Sequence, residues 1–154
     1  MVKLETIDKM SEELAKSLIN KHIHFTWHNK EDKTKETMPG KVLAYENNKI
    51  TIGTMDIVML DNEDKDGIIM TYDIGDITDI FPFEDNEYNH NILHLLDDVK
   101  EEDLNKTRYE INLFNAVITT TILDYDMPLT ITFGSSSDKT EYPLYFIKSI
   151  RRVK

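Results

Sequence analysis

The chain has 154 residues, 40% hydrophobic and 31% charged, a balance that supplies a packed core and excludes disorder as the default state. It has no cysteine, which excludes a disulfide-stapled scaffold and a Cys-ligated zinc module. Its net charge of −11 is uneven: Asp56 to Asp103 holds 16 acidic residues against Lys65 and Lys100, and the remainder is mildly basic, most densely at Lys148, Arg151, Arg152 and Lys154.

Phosphate binding needs Lys and Arg to displace condensed counterions, so the acidic middle argues against a nucleic-acid partner and suits a basic partner protein or simple solubility. No apolar run approaches the roughly 20 residues that span a bilayer. Met1 to Asn20 is polar and amphipathic and lacks the apolar core of a signal peptide. The expectation is a cytoplasmic protein with no membrane contact.

The first predicted element is a helix over Thr6 to Ile19, where Leu4, Ile7, Leu14 and Leu18 form one stripe with Met10, Ala15 and Ile19 alongside. Either Thr6 or Asp8 is suited to cap it. His22 to His28 then alternates strictly. Ile23, Phe25 and Trp27 face one way, and His22, His24, Thr26 and His28 the other, as in a half-buried strand. A polar loop over Asn29 to Glu36 leads to strands at Lys41 to Glu46 and Lys49 to Thr54, joined by an Asn47-Asn48 turn in which Asn tolerates positive φ. Asp56 to Leu60 extends that strand or starts another, Asp61 to Gly67 turns, and Ile68 to Tyr72 and Ile77 to Phe81 complete the first half before Pro82.

A polar linker over Glu84 to Asn91 precedes a second predicted helix, marked by Ile92, Leu95, Leu96 and Val99 at i, i+3, i+4 and i+7. Three further strands are expected at Val117 to Ile122, Leu129 to Phe133 and Leu144 to Ile150, with Pro128 and Gly134 to Ser137 at the connections. The predicted fold is therefore α+β, mostly β. Residues 1–84 form a helix plus a small bent-sheet barrel, and residues 85–154 a helix plus a three-stranded antiparallel segment packed on the first. Both halves run helix, strands, closing strand, and Asp76-Ile77-Thr78-Asp79-Ile80 parallels Phe146-Ile147-Lys148-Ser149-Ile150 in its isoleucine spacing.

Leu14 to Ile23, Gly40 to Ala44, and Met70 to Ile74 through Ile80-Phe81-Pro82 resemble the Sm-like small-barrel family, which includes the bacterial Hfq proteins. In that family a helix runs into the first strand and a glycine permits the second to bend. The resemblance covers residues 4–84 and implies a small barrel with a ring-forming edge; an SH3-like barrel fits almost as well. The family places a basic residue between its last two strands, where it helps bind RNA. Here Asp73, Gly75 and Asp76 stand there, so RNA binding does not carry over.

Three constellations are candidates for chemistry. His22, His24 and His28 share one strand face beside Trp27, as a binding surface, a pH-sensitive interface or a metal site, against the plain reading of a solvated face. His90 and His94 lie four residues apart with Asp97, Asp98 and Glu101 following, a divalent-cation arrangement without the central Glu of a hydrolytic zinc site. Asn62, Asp64, Asp66, Gly67 and Asp73 match positions one, three, five, six and twelve of a calcium loop. Position twelve is an Asp rather than a Glu and the flanks read as strands, so an Asp-Gly hairpin competes. No nucleophile motif or phosphate loop is present. The expected function is a non-enzymatic protein-interaction or regulatory module that binds a protein partner or another copy of itself. The alternative is an acidic inhibitor or mimic presented to a basic, nucleic-acid-binding partner, and more distantly a metal-dependent enzyme.

Overall fold

The computed structural model describes residues 4–54, 68–89, 92, 94–114, 116–126 and 130–153. In chain order these form β1 (Ile7–Lys9), α1 (Glu12–Ser17), β2 (His22–Asn29), β3 (Thr34–Glu46), β4 (Lys49–Thr54), β5 (Ile69–Asp73), β6 (Ile77–Phe83), β7 (Arg108–Leu113), β8 (Val117–Asp126), β9 (Thr130–Ser135), β10 (Asp138–Pro143) and β11 (Ile147–Arg152). They build two antiparallel sheets, ordered β1-β6-β2-β3-β4-β5 and β10-β9-β8-β7-β11. The chain divides into two compact units, the described residues up to Asp85 in one and those from Asn86 in the other.

In the N-terminal unit, Ser11 caps α1 by accepting the Leu14 N–H at 3.1 Å, with Glu12 and Glu13 in the first turn and Lys16 in the last. The helix buries Ala15, and Leu18 just beyond its end joins Met10, Ile23, Phe25, Val42, Ile50, Ile52, Tyr72, Ile77 and Ile80 in the core. Asn47 and Asn48 take φ of 50° and 64° and join β3 to β4, as their residue type predicts. Gly40 meets a packing demand. A Cβ there would lie 2.5 Å from Ile52 Cγ2, 3.1 Å from the Gly53 carbonyl oxygen and 3.3 Å from Phe25 Cε1. A 3-10 turn, Ile74–Asp76, leads into β6, which returns to pair with β2.

The C-terminal unit repeats this order. β7 to β10 form a meander, a 3-10 turn at Leu144–Phe146 follows, and β11 returns to pair with β7. Tyr109, Ile111 and Leu113 alternate inward along β7; Ile122, Ile131 and Phe133 are also buried. Tyr88 stacks on Tyr145 at 5.3 Å between ring centroids.

These observations correct the predicted α+β fold in three respects. First, α1 is six residues rather than Thr6 to Ile19, and Ile7–Lys9 of the predicted helix is strand. The cap is Ser11, not Thr6 or Asp8, and Asn20 at φ 70° ends the turn that follows. Second, the predicted second helix is absent among the described residues. Ile92, Leu95 and Val99 are buried as their spacing suggests, but the backbone bonds are Leu95 N–H to Ile92, Asp97 N–H to His94 and Val99 N–H to Leu96. Those are three-residue turns, not an α-helical ladder. Third, neither sheet closes into a barrel: β1 and β5 end the first and β10 and β11 the second. In the first sheet β1 pairs with the outer edge of β6, the edge on which closure depends. The second sheet has five strands where three were expected.

Candidate functional site

The predicted histidine face is not a solvated surface. β2 lies between β3 and β6, and a central strand has neighbours on both edges. His24 is only 6% exposed, and burial pushes its imidazole down to about 4, with the charge of Asp79 acting in the opposite direction. His22 stacks on Phe83 at 5.7 Å, and His28 Nε2 shares a 2.7 Å hydrogen bond with Thr78 Oγ1. Trp27, on the opposite face, packs against Tyr72 at 5.1 Å. Each side chain is thus engaged in local packing or hydrogen bonding.

The two metal candidates are only partly within the described residues. His90 and the loop residues Asn62, Asp64 and Asp66 lie outside them. His94 Nδ1 contacts Asp97 Oδ2 at 2.8 Å on the surface, and the Asp98 carbonyl accepts from Tyr109 Oη at 3.5 Å. Asp73 ends β5 and faces Lys49 at 3.1 Å. Among the described residues no three His, Asp or Glu side chains converge as a metal site.

An open depression of about 510 Å³ lies at the β2–β3 turn, lined by His28, Asn29, Lys30, Lys33, Thr34 and Lys35. Its cations are offset. Lys30 Nζ lies 2.9 Å from Oδ1 of the largely buried Asp76, and Glu31 and Asp32 share the same turn, held by their N–H groups to Asn29 Oδ1. That leaves little net field for an anion.

The best-formed surface feature is the edge of β5. Ile74 N–H bonds the Asn48 carbonyl and Thr54 N–H bonds the Ile68 carbonyl, so the even-numbered residues of this stretch face β4. By alternation the N–H and C=O groups of Ile69, Thr71 and Asp73 point away from the sheet, and among the described residues no backbone hydrogen bond reaches them. The edge is also apolar: Ile68 is 69% exposed, Ile69 65% and Met70 41%. Gly53 lets this surface continue inward, since its Cβ direction passes 3.4 Å from exposed Leu43 and 3.9 Å from Ile69. Sequence reasoning placed a strand here without recognising the site. The available signal was Ile68-Ile69-Met70, three apolar residues in a row where a half-buried strand would alternate.

No protein-family model and no curated protein matches the chain. Among the described residues no helix is long and apolar enough to cross a membrane.

Proposed function

We propose that the protein is a non-enzymatic interaction module that pairs the edge of β5 with an extended strand of protein. A second copy of the chain is the first occupant to expect. The carrying observation is an edge that is unpaired among the described residues and also apolar, on Ile68, Ile69 and Met70. Such an edge is a template for strand addition, main-chain bonds giving affinity and side-chain pockets selectivity. Two identical edges meet about a twofold axis without any further surface. The cysteine-free sequence supports a cytoplasmic setting. Of the acidic residues that the alternative of an acidic mimic would present to a basic partner, Asp73, Asp76 and Asp103 instead pair with Lys49, Lys30 and Arg152.

Sedimentation velocity of the wild type against Thr71→Pro tests the reading. Proline removes an outward N–H, and an edge strand tolerates it. The wild type should associate as concentration rises and the variant should not. A wild type that stays monomeric throughout and captures no protein when immobilised overturns the proposal.

A further inference from the structure

The two sheets share one plan, and comparing them position by position shows a place that, among the described residues, one sheet fills and the other does not. β6 and β11 each follow a three-residue 3-10 turn and each pair with the first strand of their own meander. Ile77 and Ile80 are buried on β6, and Ile147 and Ile150 on β11, the same i, i+3 pattern. Both ladders slip register, between His24 and Thr26 for β2–β6 and between Ile147 and Ser149 for β7–β11. Ile77 therefore corresponds to Ile147, Thr78 to Lys148 and Ile80 to Ile150.

On β6 the outer edge is occupied. Ile7 pairs with Ile80, Lys9 with Thr78, and the Met10 N–H bonds the Ile77 carbonyl at 3.3 Å. On β11 only the last of these has a counterpart, the Asn89 side-chain amide donating to the Ile147 carbonyl at 2.9 Å. Beyond it no strand pairs with the outer side of β11 among the described residues. Val153 N–H bonds the Arg108 carbonyl on the β7 side, so the N–H groups of Ile150 and Arg152 point outward, and no backbone bond reaches them among the described residues.

One cation of this edge, Lys148, is left to favour an acidic occupant. Lys148, Arg151 and Arg152 are exposed along six residues of a chain whose net charge is −11. Arg151 keeps a surface contact with Glu110 at 2.9 Å and Arg152 one with Asp103 at 3.5 Å, while Lys148 has no ion pair among the described residues. The occupant of the sister edge, Ile7–Lys9, is itself exposed at all three residues, so main-chain pairing alone seats a strand at this place in the plan. We propose that the outer edge of β11 accepts an extended acidic protein segment as an antiparallel strand opposite Lys148 to Arg152, the place that β1 fills on β6. This inference uses a different edge from β5 and stands independently of the self-association proposed there.

The test uses the full chain and two synthetic probes, an alternating Glu-Val peptide and an alternating Lys-Val peptide. Binding is read by fluorescence anisotropy and the site by amide hydrogen exchange. The Glu-Val peptide should slow exchange at Ile150 and Arg152 and bind about tenfold more tightly than the Lys-Val peptide. Lys148→Glu, an exposed change whose folding is checked by circular dichroism, should weaken the Glu-Val peptide several-fold. If neither peptide binds, if both bind equally, or if protection falls on Ile69, Thr71 and Asp73 instead, the proposal is overturned. The last outcome would leave the β5 reading standing.

Discussion

β5 and β10 hold the same rank in their sheets, each the fourth strand of a meander and each the last before the 3-10 turn. They treat the exposed edge in opposite ways. β10 turns Asp138, Lys139 and Glu141 to solvent, buries Thr140 and Tyr142, and ends on Pro143. Charges and a proline are the usual devices that keep an edge from pairing with another chain. β5 turns Ile69 and Met70 outward, continues the surface over Gly53 to Leu43, and has no charge before Asp73. One molecule thus contains a protected and an unprotected version of the same place. The protected copy shows that this topology accommodates a blocked edge, so the apolar character of β5 is not imposed by the fold.

The largest expected effect separates the units by pH. His24 is buried in the N-terminal unit, and its folded pKa of about 4 lies below the roughly 6.5 of an unfolded histidine. Between those values the unfolded chain binds more protons, so the unit loses stability as pH falls from about 6.5 to about 4, by about 3 kcal/mol in all. Below that window this contribution is flat. Trp27 is the only tryptophan and lies in the same unit, so its fluorescence during urea unfolding reads this loss. His24→Gln should remove most of the slope in that window; an unchanged slope would assign it to carboxylates.

Next in size is Gly40→Ala. The added methyl meets Ile52 Cγ2 and the Gly53 backbone, an overpacking that costs about 2 kcal/mol. Trp27 fluorescence should shift to lower urea. Ser11→Ala removes the α1 cap and should cost about 1 kcal/mol in the same measurement. The smallest effect on stability, within about 0.5 kcal/mol, is expected for Lys139→Val with Glu141→Val on exposed β10. This change sharpens the comparison because it makes β10 resemble β5. Light scattering should then show association that the parent β10 edge does not support.

β2 and the β3–β4 hairpin are legible because their signals are local. His22 to His28 alternates, and Asn47-Asn48 has the residue type its turn requires. The helices were misread because apolar spacing reports burial and not backbone. Ile92, Leu95 and Val99 are buried at helical intervals along a chain of three-residue turns. β7 and β10 fall outside the predicted strands, although Tyr109, Ile111 and Leu113 alternate. The burial of His24 is not legible because alternation marks one face of a strand as polar without showing what packs over it. Which edges stay open depends on strand order, a property of the whole sheet that no local pattern carries. The Ile-x-x-Ile parallel between the halves did fall on structurally equivalent strands, β6 and β11.

The most direct test of the unequal edges is residue-resolved amide exchange at low and high protein concentration. The account predicts that the Ile69, Thr71 and Asp73 amides slow as concentration rises while those of β10 do not change, and that Ile69→Lys abolishes the slowing. Equal behaviour of the two edges, or slowing confined to β10, would contradict it.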